Sequence, residues 1–195
     1  VSYDKIGLIY SSQGDQNKAL EYCLKALEIR KKGGSKMILD LIVSHNNLGL
    51  IFTKKGELDQ ALQHYLKALQ ISKVFFKDDH SYVVTCYNNI GAIYNSQGKI
   101  KEAFDYFSKG LMISKSLYGD NHPEVVFCSI NLGILHKDQG EYEVALEYFV
   151  KALEIQKSIY GSNHPEIAKS YLNFGQLYQK QENYENALEF LFKAL

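Results

Sequence analysis

Tyr118-Gly119-Asp120-Asn121-His122-Pro123 returns as Tyr160-Gly161-Ser162-Asn163-His164-Pro165, so the two prolines of the chain stand 42 residues apart. Carried outward from this pair, a 42-residue register takes in the whole chain. Gly7, Gly49, Gly91, Gly133 and Gly175 share one position, and Ala19, Ala61, Ala103, Ala145 and Ala187 share another. Tyr10, Phe52, Tyr94, His136 and Tyr178 follow the glycines by three residues. Gly14, Gly56, Gly98 and Gly140 also recur, with Glu182 in the fifth place. A fixed period of this length marks units that cannot bury their apolar faces alone and do so by stacking.

Each unit reads as two helices. His122-Pro123-Glu124 opens the first, because proline suits an opening turn and glutamate favours the positive end of the helix dipole. Apolar residues then recur at helical spacing as far as Gly140, where a left-handed cap forms easily. A second helix is predicted over Tyr142–Tyr160, with Gly161 ending it. Glu147 with Lys151, Glu21 with Lys25 and Glu189 with Lys193 form i,i+4 pairs on its outer face. Glycine in mid-helix costs about 1 kcal/mol against alanine. A column of five therefore implies close helix approach, with Tyr65, Phe107 and Phe149 filling the space around it.

Glycine, an aromatic residue three on, then glycine, alanine, an aromatic and alanine resemble the tetratricopeptide repeat signature. The 42-residue version with its Tyr-Gly-x-x-His-Pro connection is similar to the repeats of kinesin light chains and nephrocystin-like scaffolds. The resemblance covers essentially the whole chain. It implies an all-α fold, a right-handed α-solenoid of five helix-turn-helix repeats, with ten helices, no strand, and the first helices on the inside of an arc. The units fall at about 1–37, 38–79, 80–121, 122–163 and 164–195. The connections Gly33-Gly34-Ser35-Lys36 and Lys77-Asp78-Asp79-His80-Ser81 depart from the pattern and lack His-Pro. Neither end shows a polar capping helix, so the segment is expected to belong to a longer array.

Composition narrows the partners. Lys plus Arg and Asp plus Glu number 22 each in 195 residues, a formal net charge of zero. Nucleic acid is not an expected partner, because phosphate contacts call for a cationic excess. The apolar run around Ile38–Val43 is broken by Asp40 and falls short of the roughly 20 residues of a membrane span. Three cysteines without a CxxC fit a reducing compartment. Richness in Lys, Asn, Ile and Tyr suggests an AT-rich genome, and the expected location is cytoplasmic, with a cytoskeletal or ciliary setting. No Ser/His/Asp or Cys/His order, carboxylate pair or phosphate loop appears, so neither catalysis nor a cofactor is expected. His80, His122 and His164 lie in register. Units spaced by the roughly 8–10 Å of packed helices cannot bring their nitrogens to about 2 Å from one zinc ion. They read as residues that start helices, and no metal is expected. Cys86 and Cys128 share a column with Ser2, Ser44 and Ser170, which reads as small-residue packing.

One helix face remains for function. Projected at about 100° per residue, the first helix of the fourth unit turns Ser129, Gly133 and His136 to its partner helix. Cys128, Leu132 and Leu135 turn to the neighbouring unit. Phe127, Ile130, Asn131, Ile134, Lys137 and Asp138 are left over, and the resemblance implies that this face lines a concave groove that meets ligands. An asparagine column runs along it: Asn47, Asn89, Asn131 and Asn173, with Lys5 in the first unit. Asn46 and Asn88 precede two of these. Asparagine is a mediocre helix former, while its carboxamide offers donor and acceptor together, which suits an extended peptide backbone. The resemblance agrees, since kinesin light chains and the O-GlcNAc transferase array use such ladders on peptides. The competing reading is a structural ladder, each asparagine bonding its neighbour or the backbone. Phe127, Ile130 and Ile134, with Leu172, form an apolar patch of the kind that marks partner sites. Lys137, Lys169 and Lys180 around it suit an acidic flank of a ligand. The expected function is a scaffold or adaptor binding protein or peptide segments. The alternative is a regulatory or substrate-recruiting array of a larger enzyme. Helical-repeat RNA recognition is opposed by the zero net charge and the uniform asparagine column. Chaperone-tail capture is opposed by Asn, Leu, Ile and Ala where such clamps need basic residues. No feature of the sequence specifies an oligomeric state.

Overall fold

A computed structural model describes residues 2–33, 37–78 and 80–195. Gly34, Ser35 and Lys36 of the first connection and Asp79 of the second lie outside the described residues. Among those described, ten helices follow one another and no strand occurs. They are α1 (Ser2–Ser12), α2 (Gln16–Lys32), α3 (Ile38–Lys54), α4 (Leu58–Phe76), α5 (Ser81–Ser96), α6 (Ile100–Tyr118), α7 (Pro123–Asp138), α8 (Tyr142–Tyr160), α9 (Pro165–Lys180) and α10 (Tyr184–Lys193). They gather into two compact units, Val1–Lys99 holding α1 to α5 and Ile100–Leu195 holding α6 to α10.

In the first unit α1 with α2 and α3 with α4 are hairpins, and α2 packs onward to α3 and α4 to α5. In the second unit the hairpins are α7 with α8 and α9 with α10, with α6 against α7 and α8 against α9. Backbones of odd-numbered helices also approach one another, α1 to α3, α3 to α5 and α7 to α9. No such approach joins α2 to α4 or α6 to α8. Within each unit, then, the odd-numbered helices form an inner layer and the even-numbered ones splay outward.

The connections show why the helices begin and end where they do. His122 caps α7, its Nδ1 accepting the Glu124 N–H at 3.2 Å while its ring stacks on Tyr118 at 4.1 Å. His164 caps α9 at 3.3 Å and stacks on Tyr160 at 4.5 Å. His80 caps α5 at 3.2 Å and lies 4.3 Å from the Phe76 ring. An aromatic ring closes one helix, and the histidine folds back on it to satisfy a free N–H of the next. Within each hairpin the turn is a Schellman closure. The Glu141 N–H reaches His136 O at 2.9 Å across Gly140, whose φ is +79°. The fifth repeat keeps the bond, Asn183 to Tyr178 at 2.9 Å, although Glu182 must hold φ at +59°.

Close approach inside the hairpins accounts for the buried glycine column. A Cβ on Gly133 would lie 2.5 Å from Phe149 Cε1 and 3.2 Å from Tyr148 Cβ, and one on Gly49 2.6 Å from Tyr65 Cε1. Phe149 belongs in turn to the core of the second unit with Ala145, Phe174 and Leu177. Burying a side chain of this size stabilises by about 1.5–3 kcal/mol.

Between hairpins the packing carries a polar contact that repeats in register. Buried Arg30 of α2 pairs with Asp4 of α1 and donates to Ser44 of α3. One period on, Cys86 of α5 donates to the Asn46 carboxamide oxygen at 3.7 Å, beside Ser72 of α4. In the second unit Ser114 donates to Cys128 Sγ at 3.8 Å, and Ser170 donates to Gln156 Oε1 at 2.5 Å. Burial pushes the Cys86 thiol up to about 11, so it serves as a packed, neutral partner.

Candidate functional site

In the second unit α7 and α9 lie side by side and supply the face. Phe127 is 52% exposed and Leu172 44%, which makes them the open apolar groups of this face. Ile130 and Ile134 are half-buried and pack on the cluster of Ala145, Phe149, Phe174 and Leu177. They form the support beneath the surface more than the surface itself. Asn131 of α7 and Asn173 of α9 are half-buried.

Two of the three lysines are already engaged through their ammonium groups. Lys137 is only 8% exposed and donates from Nζ to Gln176 Oε1 at 3.2 Å, tying α7 to α9, with Asp138 at 3.8 Å. Its long apolar stem explains how it lies buried while its ammonium stays bonded. Lys169 is exposed and pairs with Glu166 at 2.5 Å. Lys180 offers its carbonyl to the Tyr142 hydroxyl at 3.2 Å.

In the first unit α3 and α5 present Asn47 and Asn89, both half-buried, with Thr85 half-buried and Ala92 exposed nearby in the register. This face is more polar than its counterpart. Asn46, half-buried like Asn47, accepts from the Cys86 thiol at the junction of hairpins, and Asn88 is buried, 2% exposed. The helical projection placed them one residue from the column, and that single step of about 100° turns them into the packing.

Three members of the asparagine column, Asn47, Asn89 and Asn173, are open, whereas Asn131 is engaged. Among the described residues no hydrogen bond ties the carboxamide of Asn47, Asn89 or Asn173, and none of their polar atoms is sealed from solvent. Asn47 therefore does not bond Asn89, and Asn173 does not bond Asn131. The carboxamides of Asn47, Asn89 and Asn173 are therefore left with donors and acceptors that no neighbour takes up among the described residues.

Two of the cavities of the second unit flank its inner and outer sides, and another, about 360 Å³, lies between the start of α9 and the end of α10. The larger, about 470 Å³, opens between the splayed helices α6 and α8, over Val125 and Ser129 of α7. Its rim carries Lys115, paired with Asp120 at 2.9 Å, along with Glu147, Lys151 and Glu154. It is the wedge that follows from splayed outer helices. The smaller, about 250 Å³, lies at the start of α7 and α9 beside Phe127 and Ile130 and adjoins the asparagine face. Among the described residues no helix is long and apolar enough to cross a membrane, and no three His, Cys, Asp or Glu side chains gather as metal ligands.

A tetratricopeptide repeat family model matches residues 40–113, 87–158 and 131–195, and a second tetratricopeptide repeat model matches 2–32. No curated protein matches the sequence closely enough to count as a relative. Among solved structures, BtubC (BKLC) from P. vanneervenii superimposes with a TM-score of 0.83 at 22% identity, over 98% of this chain and 76% of that one. The TPR-like repeats of a putative kinesin light chain from Podosopora anserina superimpose with a TM-score of 0.77 at 18% identity, over 99% and 92%. The Rap conjugation gene regulator of plasmid pLS20, in complex with the Phr* peptide, gives 0.81 at 16%, over 98% of this chain and 51% of that one. At these identities the likeness is one of fold.

Proposed function

The chain belongs to the tetratricopeptide repeat family, and from that premise we propose that it is a protein-interaction scaffold whose second unit holds an extended peptide along α7 and α9. The observation that carries this reading is the free carboxamide of Asn173 beside exposed Phe127 and Leu172. An extended backbone presents N–H and C=O groups in alternation, and a carboxamide answers both without reading the side chains. Specificity then comes from a large apolar side chain seated on Phe127 and Leu172, with Ile130 and Ile134 stiffening the floor. Asn131 takes part from the neighbouring helix, and Asn47 and Asn89 offer the same chemistry within the first unit. A fold neighbour described with a bound peptide, the Rap regulator, lends support.

The test is titration calorimetry on peptides selected from a randomised decapeptide library. Asn173→Ala should weaken binding by about 0.5–1.5 kcal/mol, roughly 2- to 13-fold, and by similar amounts for unrelated peptide sequences. Phe127→Asp should act on peptides with a large apolar residue and spare the rest. Wild-type affinity in a folded Asn173→Ala variant would remove the basis of this reading.

A further inference from the structure

We propose that the peptide held by the second unit carries an arginine or lysine, seated in the 250 Å³ cavity at the start of α7 and α9. The inference rests on the groove reading above and adds the chemistry of the guest. Val126, Phe127 and Ile130 give the cavity an apolar wall, Tyr160 lines it as well, and Glu124 and Glu166 stand at it, Glu166 already paired with Lys169. An unbranched cationic side chain matches that lining, its methylene stem along apolar surface and its charged head at Glu124.

Charge accounting supports a basic guest over the acidic one suggested by the lysines in the sequence. Lys137 is buried against Gln176, Lys169 is paired with Glu166, and exposed Lys180, at the far end of α9, is not part of the cavity lining. Glu124 has no ion-pair partner among the described residues, which leaves it as the open charge of the cavity. Its place in the first turn of α7 benefits from the helix dipole, as do Asp40 of α3 and Glu166 of α9 at the same position, where α5 has Tyr82. Arginine fits better than lysine, because a planar guanidinium bonds Glu124 in two places and stacks on an aromatic ring.

The experiment selects binders to the whole chain from a bead-displayed library of randomised decapeptides and then measures the selected peptides one at a time. Arginine or lysine should be enriched at a fixed spacing from a large apolar residue. Replacing that arginine by citrulline, or Glu124 by glutamine (Glu124→Gln), should weaken binding about 5- to 50-fold. The citrulline arm needs no protein variant, and helicity and melting temperature report on the fold of Glu124→Gln. Selected peptides without basic enrichment, or indifferent to both changes, overturn the basic guest. If those peptides still respond to Asn173→Ala, the groove reading stands without it. If they ignore Asn173→Ala too, or no peptide is selected, both fall.

Discussion

Glu182 holds a left-handed backbone, φ +59°, at the turn where four other repeats place glycine. That conformation costs an L-residue roughly 1–2 kcal/mol, part of which glycine returns as chain entropy. Glu182→Gly should therefore stabilise the protein by about 0.5–1 kcal/mol, read as a small rise in melting temperature. Gly133 makes the opposite case, because Phe149 occupies the place of its Cβ. Gly133→Val should cost about 1–3 kcal/mol by overpacking, while exposed Lys151→Ala should stay within about 0.5 kcal/mol. Equal melting shifts for these two would refute the packing described for the hairpin. Both glycine positions were legible in the sequence because a steric demand admits one residue type and so repeats visibly. The junctions were not legible. Their positions repeat every 42 residues, but Asp4 with Arg30 and Ser44, Asn46 with Ser72 and Cys86, and Gln156 with Ser170 meet the same need by different chemistry.

Among the elements, the α3–α4 hairpin carries a pH response. His45 and His64 meet through their Nδ1 atoms at 3.1 Å, with rings 5.2 Å apart, an arrangement that requires at least one neutral imidazole, because one Nδ1 must accept. Burial, then the charge of His64, lowers His45 to about 4, with Lys31 and Lys67 acting in the same direction. Burial also lowers His64. The unfolded chain takes up these protons from about pH 6.5 downward, while folded His45 resists until about 4. Stability from the pair is thus complete above pH 6.5 and lost as pH falls toward 4. With solvent screening discounted, the loss by pH 4.5 is on the order of 1–2 kcal/mol. Guanidinium melts at pH 7.5 and 4.5 should show a smaller difference in the double variant His45→Leu with His64→Leu than in wild type. An equal difference would assign the acid sensitivity elsewhere. Helix limits were legible at this scale, α8 spanning Tyr142–Tyr160 as the register predicts. The stacking of His122 on Tyr118 was not, because a connection has no periodicity from which side-chain contact is read. Ile130 and Ile134 show the same limit: an ideal projection treats the helix as isolated, and α9 lies close enough to half-cover them.

For the molecule as a whole, zero net charge and a repeating neutral column fit a partner read through its backbone more than through long-range attraction. The second unit nevertheless offers several places for a guest, chief among them the α7 and α9 face and the larger cavity between α6 and α8. Volume alone favours the latter. The former carries the unbonded Asn173 carboxamide and exposed apolar side chains together, whereas Lys115 at the rim of the latter is already paired with Asp120. A crystal structure of the chain with a selected decapeptide decides between them most directly. The account predicts an extended backbone lying across α7 and α9, within hydrogen-bonding distance of the Asn173 carboxamide and with a large side chain on Phe127 and Leu172. A peptide found between α6 and α8, with Asn173 still facing solvent, would contradict it.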